Sequence, residues 1–126
     1  LMTPTLVKIG LFEIAFAALL GWALIAHREK PGLLKRIGVI APRRILQCHL
    51  DQIMMGLILI AVGLAVDDLP LAITVPLVFG TIMNPLLFLP EAFSNTVGDR
   101  TWFKGLGLLS VLAMSGSMVA VAFYAL

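Results

Sequence analysis

The sequence predicts an all-α, polytopic membrane protein folded as a four-transmembrane-helix bundle. Of the 126 residues, 60% are hydrophobic and only 13% are charged, and the mean hydropathy is +1.05. The apolar residues fall into four runs of roughly 20 residues, the length that crosses the hydrocarbon core of a bilayer. The predicted spans are 5–27, 45–66, 70–93 and 104–126, and together they form a single domain. This composition excludes an ordinary water-soluble domain.

The first span carries one acidic residue, Glu13, about halfway along its length. The aliphatic residues around it favour insertion strongly enough to offset a central acid. Two interpretations of Glu13 stay open: a protonated side chain that bonds a neighbouring helix, or a functional contact with a proton or a substrate. Trp22 and His27 approach the membrane interface, where an aromatic ring and a hydrated imidazole are common. His27 is therefore a weaker candidate ligand.

The second span carries three polar side chains, His49, Asp51 and Gln52. Polar side chains cost free energy in a bilayer, so intramembrane ionisable residues are functional candidates. A helical wheel places one group on a common face: His49, Gln52, Gly56 and Gly63. The two glycines on this face would let another helix or a flat ligand approach closely. Asp51 lies on the other face among methionine and aliphatic residues. Glu13 and Asp51 are both expected to be shielded from lipid.

The third span contains Pro76, Pro85 and Pro90, each of which lacks a backbone N–H. We expect interruptions of its hydrogen bonding, which membranes tolerate where neighbours satisfy the freed groups. Helical spacing predicts one shared face, turned toward the same interior as His49, made of Gly80, Thr81, Asn84, Phe88 and Glu91. Asn84 either contacts a substrate there or only bonds an adjacent helix. The fourth span is rich in small residues, which is typical of a packing surface.

The basic residues indicate the topology. Eight of the nine Lys and Arg lie between the first two spans or between the last two: Arg28, Lys30, Lys35, Arg36, Arg43, Arg44, Arg100 and Lys104. Both connections are predicted on one side, which the positive-inside rule makes cytoplasmic, with both termini outside a bacterial-type inner membrane. The first connection is expected to lie on the lipid headgroups. It lacks the aromatic residues of a nucleic-acid surface.

Several chemistries lack their usual motifs. The sequence contains no Gly-rich phosphate loop, no CxxC, no HExxH and no G-x-S-x-G elbow. The single cysteine, Cys48, excludes a disulfide within the chain. ATP hydrolysis, zinc chemistry and serine hydrolysis are therefore not supported.

Two stretches resemble a known family. The run APRRILQCHLDQIMMGLILIAVGLA, with its H-L-acid step and Met-Gly, resembles the second helix of the small membrane isomerases that include styrene oxide isomerase and hydroxylaminobenzene mutase. The run GLFEIAFAALLG resembles their first helix. The resemblance implies a homo-oligomer, a trimer, with haem b between subunits and His49 as its ligand. It implies Lewis-acid rearrangement of a small hydrophobic aromatic, an epoxide or an aryl hydroxylamine.

The chain departs from the epoxide branch at two positions. Met55 falls where that branch has a substrate-positioning Asn, and Phe88 falls near its catalytic Tyr. Asp51 is more similar to the mutase branch, and Asn84 matches an asparagine on the family's third helix. The site implied by wheel and resemblance together has Asn84, Gln52 and Asp51 as catalytic residues. Its haem-binding residues are His49, Gly56 and Gly63.

Three classes of function compete at this point. The first is the haem-dependent isomerase or mutase. The second is an electron-transfer cytochrome b in which His27 and His49 bracket one haem. The third is a non-catalytic subunit that anchors or assembles a larger complex with other membrane subunits. All three share contact with membrane lipid.

Overall fold

The computed structural model describes residues 2–126, with side chains from Thr5 onward. Four long helical spans dominate it, with no strand among the described residues. The elements in chain order are α1 (Met2–Glu29), α2 (Pro31–Arg36), α3 (Pro42–Ala65), α4 (Leu71–Leu86), α5 (Phe88–Phe93), a 3-10 turn (Val97–Asp99) and α6 (Thr101–Tyr124). With α4 and α5 taken as one span, four helical segments are long and apolar enough to cross a membrane. The predicted all-α four-helix membrane bundle is confirmed.

The spans agree with the prediction except at their ends. The structure extends the first helix to Glu29 and starts the second span at Pro42 rather than at residue 45. Pro42 can begin the helix because the first turn needs no donor from its backbone nitrogen. The last span runs from Thr101 to Tyr124, three residues earlier than predicted at its start.

The third span is interrupted less than its prolines predict. Pro76 and Pro85 both lie inside α4, and the single break falls at Leu87. The Leu87 N–H still reaches the Met83 carbonyl oxygen at 3.0 Å. Pro90 lies in the first turn of α5, where its missing N–H removes no helical hydrogen bond. The span therefore stays continuous enough to cross the bilayer.

The helices pack as two pairs, α1 with α3 and α4 with α6, joined by contacts between α3 and α4. Two apolar cores lie at opposite ends of the bundle. The core near the chain termini contains Leu6, Leu59, Val62, Leu69, Leu77 and Val121. The other, near the basic connections, contains Leu34, Val39, Ile45 and Ala92. Polar side chains occupy the layer between the two cores.

The two basic connections lie at the same end of the bundle, as predicted. The Ala92 carbonyl oxygen accepts hydrogen bonds from the backbone N–H of Ile40 at 2.8 Å and of Ala41 at 3.1 Å. Close by, Arg44 pairs with Glu91 at 3.3 Å. At the opposite end, the Tyr124 hydroxyl donates to the Asp68 carbonyl oxygen at 2.9 Å. These contacts fix the ends of the two helix pairs to each other.

Candidate functional site between α1, α3 and α4

A close approach of two glycines sets the register of α1 against α3. A Cβ atom added at Gly56 would lie 2.7 Å from the Gly10 carbonyl oxygen, and one added at Gly10 would lie 2.6 Å from the Gly56 carbonyl oxygen. Only glycine permits backbones to come this near. Since the helices are antiparallel, this register brings Ala17 opposite His49.

His49 is held by the backbone of α1. Its Nδ1 lies 2.6 Å from the Ala17 carbonyl oxygen. A carbonyl oxygen only accepts hydrogen bonds, so Nδ1 is the donor, and in a neutral ring Nε2 carries the free lone pair. The ring edge packs on Gly21, whose added Cβ would lie 3.5 Å from Cε1. His49 itself is partly exposed. The geometry thus presents one oriented imidazole nitrogen near the surface of the helix pair.

A second polar group lies deeper in the same interface. Glu13 is 4% exposed and Gln52 is 4% exposed, and the Glu13 Cβ packs against Gly56. Both Glu13 carboxyl oxygens and Gln52 Oε1 are buried without a hydrogen-bond partner among the described residues. Buried polar atoms are normally hydrogen-bonded because an unpaired one costs a few kcal/mol, roughly 1–3. Three such atoms in one layer single out this part of the bundle.

Thr81 of α4 lies beside the Glu13 carboxyl and is fully buried. Its hydroxyl donates to the Val78 carbonyl oxygen at 3.0 Å, so toward Glu13 it can offer only lone pairs. Asp51 is near enough to act on Glu13 electrostatically and is partly buried. The expectation that Glu13 and Asp51 are shielded from lipid is met, fully for Glu13 and in part for Asp51.

Gly56 does not have the role that the sequence predicted. It was expected to leave room for a porphyrin, but that space holds the Gly10 backbone and the Ile14 side chain. Gly63 is also buried within the bundle. Gln52 lies inside the interface and so cannot line an open coordination face on the outside. The face containing His49 is therefore a helix-packing face along most of its length.

Asn84 does not join His49. Its Oδ1 accepts a hydrogen bond from the Ser110 hydroxyl of α6 at 2.5 Å. The predicted common face of the third span is divided among neighbours: Gly80 contacts Met114 of α6, while Thr81 faces α1. The structure favours the interpretation of Asn84 as an interhelical hydrogen bond.

His27 lies far from His49. It is exposed near the end of α1 and lines a cavity of about 430 Å³ together with Lys35 and Pro42. His27 is ten residues beyond Ala17, which at 1.5 Å per residue is about 15 Å along the helix axis. In this structure one iron could not contact both histidines of a single chain.

Haem is the cofactor that the resemblance implies, and the chain fits it in one respect only. No three His, Cys, Asp or Glu side chains of the described residues are grouped to hold a metal ion, but haem iron needs only an axial ligand from the protein. An Nδ1–H bonded to a backbone carbonyl is the usual arrangement of a metal-binding histidine. The His49 ring nitrogen is therefore suitable as an axial ligand of haem. Gly56, in contrast, leaves no space for the porphyrin, because α1 covers it.

Only part of this site could be recognised from the sequence. Glu13 stood out as an acid in mid-membrane, but its place beside Thr81 depends on the register of three helices. That register is set by backbone approach at Gly10 and Gly56, which no single span reveals. For the same reason, the Ala17 carbonyl could not be recognised as the partner of His49.

No protein-family model, curated protein or solved structure matches this chain.

Proposed function

We propose that this protein is an integral-membrane isomerase or mutase that binds haem b through His49 and rearranges a small hydrophobic aromatic, of epoxide or aryl hydroxylamine type. The observation that carries the proposal is the hydrogen bond from His49 Nδ1 to the Ala17 carbonyl oxygen at 2.6 Å. It orients the ring and leaves Nε2 as a ligand nitrogen. The sequence resemblance supplies the reaction class.

His49 would hold the cofactor on the outer side of the α1/α3 interface, since Gly56 is covered by α1. Bound haem supplies a Lewis acid with no net redox change. Within the chain, Ala17 and Gly21 keep the imidazole ring in place. A substrate of this class would reach the site from the bilayer, into which it partitions. A neighbouring copy in a homo-oligomer, a trimer by resemblance, would cover the exposed side.

The decisive experiment is an absorption spectrum of the purified protein after haem-replete expression. We expect a Soret band in the wild type, its loss in His49→Ala, and its retention in His27→Ala, the matched control. In His49→Gly, added imidazole should restore the band. A wild type without haem, or a His49→Ala variant with full haem, would remove the chemistry from this proposal. The alternative of a non-catalytic subunit that anchors a larger complex would then be the better one.

The topology is part of the same proposal. We propose that both termini lie outside a bacterial inner membrane. Two arguments support this: the basic connections share one end of the bundle, and positive charge favours the cytoplasm. A periplasm-active reporter fused after Leu126 should be active. A fusion within the first basic connection, near Gly38, should be active only with a cytoplasmic reporter. The reverse pattern would overturn the assignment.

A further inference from the structure

The buried layer of Glu13, Gln52 and Thr81 is not used by the proposed chemistry at His49. Glu13 brings two carboxyl oxygens to it, and neither has a partner among the described side chains and backbone groups. An isolated carboxylate in an apolar interior is far too costly to persist and takes up a proton instead. None of the nine Lys and Arg is buried, so no cation offsets a charge at Glu13.

The neighbours of Glu13 also suit a neutral acid. Gln52 presents Oε1, and Thr81 presents hydroxyl lone pairs because its proton goes to Val78. Both are acceptors, and a protonated carboxyl is a donor. The titratable groups near Glu13 on α3 are Cys48, His49 and Asp51, while α4 contains none.

We propose that Glu13, Gln52 and Thr81 form a proton-holding site at mid-membrane, in which a neutral Glu13 carboxyl is linked to the Gln52 amide through one bound water molecule. Water is a suitable ligand because the two Glu13 carboxyl oxygens and Gln52 Oε1 are buried without a donor among the described residues, and one water molecule can both donate and accept hydrogen bonds. A buried water typically makes about three hydrogen bonds, and this layer offers three side chains. The site lies one helical turn from His49, and it does not depend on haem.

Infrared difference spectroscopy of the purified protein in lipid tests this site directly. We expect a carboxylic C=O stretch at neutral pH that shifts in D₂O, is lost in Glu13→Gln, and persists in Glu29→Gln, a control acid exposed at the end of α1. Glu13→Asp should move the band rather than remove it. Gln52→Leu should shift the band and remove a weakly bonded water O–H stretch.

Two results would overturn the proposal. The first is the absence of any carboxylic band that depends on Glu13, which would mean that the side chain is ionised. The second is a Glu13 band that Gln52→Leu leaves unchanged, together with the absence of a water O–H stretch. This result would mean that Glu13 is a buried acid with no bound water. Circular dichroism of each variant checks the helical fold. A haem-free wild type would contradict the proposed function while leaving this readout intact.

Discussion

The α1/α3 and α4/α6 interfaces are closed in the same way but use their polar side chains differently. In each interface, a glycine lets the partner helix come close. Gly56 of α3 contacts the Gly10 backbone of α1. Gly80 of α4 contacts Met114 of α6, and a Cβ added at Gly80 would lie 2.9 Å from the Met114 Cα. In the α4/α6 interface, Asn84 and Ser110 satisfy each other. In the α1/α3 interface, the Glu13 carboxyl remains without a partner.

The difference separates polar residues that hold helices together from those available for chemistry. A hydrogen bond between membrane helices stabilises their association modestly, whereas an unsatisfied buried acid destabilises it. A chain that keeps such an acid loses stability at that position, which is the usual sign of a functional group. The α4/α6 interface is therefore structural, and the α1/α3 interface is where we place function.

The largest effect on stability is expected at the glycines that let the helices approach closely, a feature that both interfaces share. In Gly56→Ala, the new Cβ meets the Gly10 carbonyl oxygen at 2.7 Å, and neither backbone can move without separating the helices. We expect a loss of roughly 1–3 kcal/mol in the free energy of unfolding, as for other overpacked positions. Unfolding in detergent mixtures of increasing denaturing strength, followed by circular dichroism, measures it.

Gly116→Ala is the matched control, because an added Cβ at Gly116 meets nothing within 4 Å. It should leave stability unchanged or raise it, since alanine is the better helix former. Gly80→Ala should behave like Gly56→Ala. If Gly56→Ala is as stable as Gly116→Ala, the α1/α3 register described above is wrong, and with it the position of Ala17 opposite His49.

The second largest effect on stability is expected at the hydrogen bond between Asn84 and Ser110. Replacing Asn84 with Leu, alone and together with Ser110→Ala, removes the bond between α4 and α6. A double-mutant cycle should give a coupling of roughly 0.6–2 kcal/mol, the range of interhelical hydrogen bonds in membranes. Activity and haem content should not change, because Asn84 lies away from His49. A loss of activity at full stability would return Asn84 to the catalytic set that the sequence implied.

Glu13→Leu should raise the free energy of unfolding, whereas the substitutions at Gly56 and Asn84 should lower it. The change removes a buried acid that makes no hydrogen bond to the described protein atoms, and leucine is of similar size. We expect stability to rise by about 1 kcal/mol, the lower end of the cost of an unsatisfied buried polar group, because the proposed water would satisfy part of the hydrogen bonding of the carboxyl. The same unfolding assay measures it. A clear destabilisation would mean that Glu13 holds the helices together, as Asn84 does, and would erase the contrast between the two interfaces.

The sequence was sufficient for the spans and insufficient for the contacts between them. Hydropathy gives each helix to within a few residues, because length and composition alone decide membrane insertion. The wheel correctly placed Gln52, Gly56 and Gly63 on a buried face of α3. It could not decide what covers that face, and the answer proved to be α1 rather than a flat cofactor. Similarly, the wheel placed Thr81 and Asn84 on one face of the third span. In the structure they contact different helices: Thr81 faces α1, and Asn84 bonds Ser110 of α6.

The smallest effect is expected where the two helix pairs meet at the basic end. Arg44 and Glu91 form an ion pair at 3.3 Å, with side chains 39% and 24% exposed. Partly exposed pairs of this kind contribute about 0–1 kcal/mol, because solvent and salt screen them. The junction does not rest on the pair, since the Ala92 carbonyl oxygen also binds the backbone N–H of both Ile40 and Ala41.

A double-mutant cycle of Arg44→Ala and Glu91→Ala, followed by unfolding in detergent, should therefore give a coupling below about 1 kcal/mol that shrinks further as salt is raised. Arg43→Ala, a neighbouring exposed residue, serves as the control for loss of charge alone. A coupling larger than that of Asn84 with Ser110 would contradict this order, and would show that the ion pair between the two helix pairs contributes more than the interhelical hydrogen bond within one pair.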